Sequence, residues 1–235
     1  MKLKVQGRNE AYELAPSKII ALGLNYRDHI EESHSVKVKG FTKEIPAEPV
    51  LFPKMPSCLI GEGEEIVIPG FLTEYGFDEL RTDFEGELAI IVRDRCRNVP
   101  PEEAYGHILG FTALNDVSQR NIQTSDKSGW FRGKSFDTFG PVGPQIVLMD
   151  DIGDPQNLRL QTRLNGETRQ DANTSLMIFS IRETLAFVSK NFTLEAGDLI
   201  STGTPAGVGP LSHGDVVEVE IEKIGVLRNR VVDEC

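Results

Sequence analysis

Asp83-Phe84-Glu85-Gly86-Glu87 runs directly into Leu88-Ala89-Ile90-Ile91-Val92, and no other junction in the chain constrains the fold so tightly. The apolar run reads as a buried strand. Side chains two apart in a strand share a face, roughly 7 Å apart along the chain. Glu85 and Glu87 therefore project together, and Gly86 faces the other way. Two carboxylates at the mouth of so apolar a strand repel one another and lose hydration. Two arrangements relieve this. Either the strand end reaches water, or a divalent cation lies between the carboxylates, whose oxygens suit Mg2+, Mn2+ or Ca2+. The stretch alone leaves both open.

A chain of 235 residues, 39% of them hydrophobic, fits one globular domain with at most a small appendage. The appendage is expected at residues 1–16, before a main domain over 17–235. No apolar run is long enough for a bilayer span, and Met1-Lys2-Leu3-Lys4-Val5-Gln6 lacks a signal-peptide core. The formal charge of −11 argues against non-specific binding to nucleic acid or anionic membrane. It does not exclude a small anionic substrate, because a bound metal reverses the local field. Cys58, Cys96 and Cys235 are scattered and form no Cys-x-x-Cys pair. Neither a thiol metal site nor a disulfide scaffold is expected, and a reducing cytoplasm fits.

Along the chain, short strands are expected at Lys2 to Val5 and Lys18 to Leu24. A helical turn follows over Arg27-Asp28-His29-Ile30-Glu31-Glu32, placing His29 and Glu32 on one face. Such a carboxylate orients an imidazole and raises its basicity, which suits a general base; an exposed acidic helix with a chance histidine has the same pattern. Ser33 to Glu48 reads as a polar surface loop. Ile108 to Leu114 is a second apolar strand closed by Asn115-Asp116. Asp116 is either a third carboxylate or a cap for a helical Ser118 to Gln123. Lys134 can hold a substrate carboxylate or an enolate oxygen, or serve as a surface cation. Asn165-Gly166 marks a hairpin, Ile178 to Lys190 has helical apolar spacing, and Val216 to Val232 forms a last hairpin around Gly225. The loop Gly203-Thr204-Pro205-Ala206-Gly207-Val208-Gly209 is neither a Walker A nor a dinucleotide motif. Its amides and threonines can bind a carboxylate or simply connect two strands.

Together these segments resemble the fumarylacetoacetate hydrolase family, in its short single-domain branch, over about residues 17 to 232. The resemblance rests on Gly23-Leu24-Asn25-Tyr26, Pro53-Lys54 with Ser57, Asp83 to Leu88, Gly110-Phe111-Thr112 with Asn115-Asp116, Gly133 to Asp137, and Gly197-Asp198 with Thr202 to Gly209. It implies a β-rich α+β fold: a β-roll of mixed sheets with a few short helices, usually in a homodimer. It also implies Glu85, Glu87 and Asp116 as ligands to Mg2+ or Mn2+, with Ca2+ as a crystal substitute. Lys134 falls on the active-site lysine, and His29 with Glu32 falls on the His-x-x-Glu dyad of acylpyruvate hydrolases. Asn25, Tyr26, Arg120, Gln123, Gly203 and Thr204 fall on substrate contacts. The implied activity is a metal-dependent reaction of a 2-oxo acid through its enolate. Carbon–carbon hydrolysis of an acylpyruvate or decarboxylation of oxaloacetate comes first. Isomerisation of a 2-hydroxy-diene-dioate is the alternative.

Overall fold

The computed structural model describes residues 1–32, 44–127 and 129–234, apart from the side chain of Glu32. The loop expected from Ser33 to Glu48 lies mostly outside the described residues. Among the described residues the strands form three sheets. The largest, of nine strands, runs Ala11–Glu13, Lys2–Val5, Gly140–Leu148, Ile108–Asn115, Gly86–Val92, Leu199–Ser201, Ile19–Gly23 and Val50–Lys54, with Leu59–Ile60 also paired to Gly140–Leu148. It is mixed: Lys2–Val5 runs parallel to Gly140–Leu148, and Leu199–Ser201 parallel to Ile19–Gly23. The first residues are thus stitched into the sheet that carries the central glutamates. A five-stranded sheet runs Glu167–Asn173, Arg159–Leu164, Val216–Ile221, Gly225–Asp233 and Glu65–Ile68. A small ribbon joins Ser118–Gln119, Thr82–Phe84 and Gly209–Pro210.

The main core lies between the two large sheets. Leu88, Ile90 and Val92 from one meet Leu160, Val219 and Ile221 from the other. Every residue of Gly86–Val92 is buried, so this strand is covered on both faces. Gly86 points at the five-stranded sheet: a Cβ there would lie 2.2 Å from Thr162 Oγ1 and 3.2 Å from Val219 Cγ1. Glycine is therefore required by close sheet packing, and its alternation sets both flanking glutamates toward the opposite side.

Several elements follow their local signals. Asn165 and Gly166 both have positive φ, 53° and 83°, as a two-residue hairpin turn needs, between Arg159–Leu164 and Glu167–Asn173. The long helix begins later than its apolar spacing suggests, at Ile181–Asn191, because Ser180 and Glu183 form a capping box that fixes the start. Ser118 to Gln123 is not one helix. Ser118–Gln119 pairs with Thr82–Phe84, and the helix Arg120–Ser125 is capped by the Gln119 side chain. Asp116 is consequently not a helix cap. No helix among the described residues is long and apolar enough to cross a membrane.

Gly86→Ala is expected to destabilise the fold by about 1–3 kcal/mol, the usual cost of overpacking, read from urea unfolding midpoints. A change under about 0.5 kcal/mol would mean that the sheets separate freely at this point.

Candidate active site

The ladder between Gly86–Val92 and Ile108–Asn115 sets Gly86 opposite Asn115 and Glu87 opposite Leu114. One step further, Asp116 N–H donates to the Glu85 carbonyl at 2.8 Å, and the Glu85 N–H donates to Asn115 Oδ1 at 2.9 Å. Strand register alone thus carries a distant aspartate to the glutamate pair. Oxygens of Glu85, Glu87 and Asp116 lie within 4.8 Å of one another, and all three residues are buried.

Three cations answer this charge unequally. Lys134 Nζ bridges Glu85 Oε2 at 2.6 Å and Asp116 Oδ2 at 2.7 Å, and sits 5.0 Å from the centre of the Phe52 ring. Lys54 Nζ donates to Asp116 Oδ1 at 2.6 Å, to the Phe139 carbonyl at 3.0 Å, and to the Lys134 carbonyl. Arg120 Nη2 lies 2.6 Å from Glu85 Oε1, while its Nε reaches Asp83 Oδ2 at 2.7 Å and its Nη1 reaches Gln123 Oε1 at 2.8 Å. Glu87 forms no ion pair among the described residues. Its Oε2 accepts from Ser201 Oγ and from Gly203 N–H at 2.8 Å.

The carboxyls respond accordingly. Burial works to raise Glu85, but Lys134, then Arg120 and His29, more than offset it and hold the group well below the usual range. Burial pushes Glu87 up, and the neighbouring Asp116 and Glu85 push it further. Burial also works against a charged Lys54, yet Asp116 outweighs it and the ammonium is held more firmly than usual. Three converging buried carboxylates, one of them without a cationic partner, fit a hard divalent cation by donor type and by charge.

A narrow cleft opens over these groups, walled by His29, Phe52, Gln123, Trp130, Lys134 and Thr204 besides the glutamates. His29 is buried on the helix Arg27–Glu32. Glu32 closes that helix, but its pairing with His29 falls outside the described side chains. Tyr26 is buried with its hydroxyl unpartnered among the described residues, and burial, then Glu87, raises its pKa. Thr204 Oγ1 donates to the Gly86 carbonyl at 2.9 Å and accepts from Gln170 Nε2 at 2.8 Å. Arg120 and Gln123 meet on one face of their helix, as their spacing predicts.

Two of the expected substrate contacts spend their polar atoms on the protein. Asn25 Nδ2 donates to the Thr202 and Phe179 carbonyls at 2.8 and 3.2 Å, and its Oδ1 accepts from Phe179 N–H at 2.8 Å. The Gly203 amide is directed at Glu87. Lys54, Asp83 and Ser201 belong to the cluster: the first two fall within motifs already singled out in the sequence, but the sequence assigns none of the three a role at the site. Lys54 carried a usable signal: it alternates with Phe52 on the inner face of Val50–Lys54, where a lysine needs a buried partner.

Residues 18–232 match the C-terminal domain of fumarylacetoacetate hydrolase, and the chain belongs to that family. Two curated relatives are an oxaloacetate tautomerase of Bos taurus, 37% identical over 98% of this chain and 73% of the relative, and a 2,4-didehydro-3-deoxy-L-rhamnonate hydrolase of Sphingomonas sp., 40% identical over 91% of this chain and 73% of the relative. Among solved structures, fumarylpyruvate hydrolase from Pseudomonas aeruginosa, in complex with Mn2+ and pyruvate, superposes with a TM-score of 0.86. It is 26% identical, covering 100% of this chain and 96% of that one. The strand-rich mixed-sheet fold is therefore the family's. Hydrolase and tautomerase both occur among its relatives.

Lys54→Met is expected to cost about 3 kcal/mol of stability, since it leaves a buried carboxylate short of its partner, measured by urea unfolding in chelator. A loss below about 1 kcal/mol would show that Lys134 alone balances Asp116.

Proposed function

We propose that the chain is a divalent-metal-dependent enzyme that hydrolyses a carbon–carbon bond in an acylpyruvate-type 2-oxo acid. The observation that carries this reading is the convergence of Glu85, Glu87, Lys134 and His29 on one narrow cleft, with Asp116 completing the carboxylate cluster. In this reading Glu85, Glu87 and Asp116 hold Mg2+ or Mn2+. Bound there, the cation supplies a Lewis acid for the oxygens of the 2-oxo acid.

The chain's own groups do the rest. His29 takes a proton from water, oriented by Glu32. The water oxygen bonds to the distal carbonyl carbon, and collapse of that adduct breaks the carbon–carbon bond. The bonding pair stays with the pyruvate fragment as an enolate, which is then protonated at carbon. Lys134 Nζ places positive charge where the enolate oxygen develops. Arg120 and Gln123 face the substrate carboxylate and Tyr26 offers a hydroxyl to it, while Thr204, bonded to the Gly86 carbonyl and Gln170, acts as a positioning residue. Asn25 and Gly203 act as positioning residues: one ties the Tyr26 segment to Thr202 and Phe179, the other aims Glu87. Ser201 supports the same carboxylate.

A second reading is keto–enol tautomerisation of oxaloacetate. The bovine relative favours it, and it needs the enolate and a proton shuttle but no activated water. Decarboxylation of oxaloacetate would draw on the same enolate stabilisation.

Acetylpyruvate and oxaloacetate, each followed by proton NMR in heavy water with Mg2+ or with chelator, separate these readings. Hydrolysis predicts metal-dependent pyruvate and acetate from acetylpyruvate, reduced at least 100-fold in His29→Gln, in line with loss of a general base. Deuterium entering carbon 3 of oxaloacetate faster than without enzyme, with no cleavage of acetylpyruvate, would overturn the hydrolase reading in favour of the tautomerase.

A further inference from the structure

Away from the carboxylate cavity, the fold builds a second convergence that the sequence spacing does not announce. The strand Gly86–Val92 passes into Arg93, whose N–H donates to the His107 carbonyl at 2.8 Å. His107 is thereby held beside the continuing chain Asp94-Arg95-Cys96. A carboxylate oxygen of Asp94, Sγ of Cys96 and a ring nitrogen of His107 lie within 4.8 Å of one another. The backbone under the thiol is anchored on its other side: Cys96 N–H donates to the Leu194 carbonyl at 3.0 Å, and Leu194 N–H returns to the Cys96 carbonyl at 2.9 Å.

An Asp–His pair at a surface is common, and here His107 Nδ1 lies 2.7 Å from Asp94 Oδ1. That pair alone gives no reason for a sulfur in the same corner. The exposures are graded in the way a metal site needs. The Cys96 residue is only 7% exposed, whereas the side chains of His107 and Asp94 are 29% and 51% exposed, so one side stays open to water. The local field is also negative. Asp94, Asp198 and Glu195 all bear on the Cys96 thiol. The carboxylates that oppose a thiolate attract a cation. Asp198 is committed elsewhere, to Ser17, Lys18 and the Glu195 N–H. Glu195 is partly balanced by Arg95 at 3.4 Å.

We propose that Asp94, Cys96 and His107 form a second cation site, taking a borderline-soft divalent ion of the zinc type with one oxygen, one sulfur, one nitrogen and a water. The mixed donor set separates it from the all-oxygen carboxylate cluster, which suits harder ions. Binding removes the thiol proton to solvent and leaves a thiolate ligand. The bound ion would clamp the turn after Gly86–Val92 to the residue that precedes Ile108–Asn115. The site does not depend on the reaction proposed above.

Co2+ is the probe, because a cysteine ligand gives it a near-ultraviolet thiolate-to-metal absorption and a tetrahedral site gives strong visible bands. The titration uses the full chain with Cys235→Ser, so that the terminal thiol cannot contribute. One equivalent of Co2+ should develop both signals, and Zn2+ should abolish them. The signals should vanish in Cys96→Ser, and the affinity should fall at least tenfold in His107→Ala, whose partly exposed side chain can be removed without opening the core. They should persist in Glu87→Gln, which separates this site from the carboxylate cluster. No thiolate band at saturating Co2+ would overturn the proposal. So would a band that survives in Cys96→Ser, or an unchanged affinity in His107→Ala with its thermal unfolding intact.

Discussion

Everything near the cavity is arranged around the mutual repulsion of three buried carboxylates. Two unit charges 4 Å apart interact by about 4 kcal/mol at an effective dielectric of about 20, so three such groups cannot stay ionised in this core without cations. Lys134, Lys54 and Arg120 take up that task for Asp116 and Glu85. Glu87 receives only a hydroxyl and an amide. The imbalance is local and has a direction: it leaves one carboxylate of the three calling for further positive charge. A divalent ion would meet that demand.

The scaffold around the cluster is rigid for the same reason. Glu85 and Glu87 keep their shared direction because Gly86 is clamped against the second sheet, its N–H donating to Gln170 Oε1 at 3.0 Å and its carbonyl accepting from Thr204. Gln170 also donates to the Pro205 carbonyl at 2.8 Å, which ties the glycine loop to the same point. Asn25 fastens the segment leading to His29 onto Thr202 and Phe179. The glutamate pair, the loop that aims Glu87 and the helix bearing His29 thus form one hydrogen-bonded unit. Such linkage keeps reacting groups in place without further ordering during reaction.

Much of this was legible in the chain itself, and the failures have physical causes. Period-two alternation was enough to put Glu85 and Glu87 on one face and Gly86 on the other, because a strand admits no other geometry. The Asn165-Gly166 turn was equally readable, since few residue pairs accept positive φ in succession. The strand Gly140–Leu148 was not: its two prolines and two glycines break the strand pattern, and it enters the sheet only with a register shift between Gly143 and Val147. Asp116 illustrates tertiary override, because Ser118–Gln119 is recruited into the ribbon and the helix it would have capped begins later. The roles of Lys54, Asp83 and Ser201 were not legible because they lie in pairings between segments distant in the chain. The meeting of Asp94, Cys96 and His107 likewise depends on a ladder joint that spacing alone does not reveal.

The account rests on the carboxylate cluster being a cation site and not merely a buried ion-pair network. Mn2+ binding, followed by the loss of its free-ion electron paramagnetic resonance signal, tests this in the absence of any substrate. The account predicts one tightly bound Mn2+ in the native chain and at least tenfold weaker binding in Glu87→Gln, with the fold unchanged by circular dichroism. Equal Mn2+ binding by the two proteins, or none by either, would contradict it: Glu87 would then be an ordinary buried acid that holds no cation.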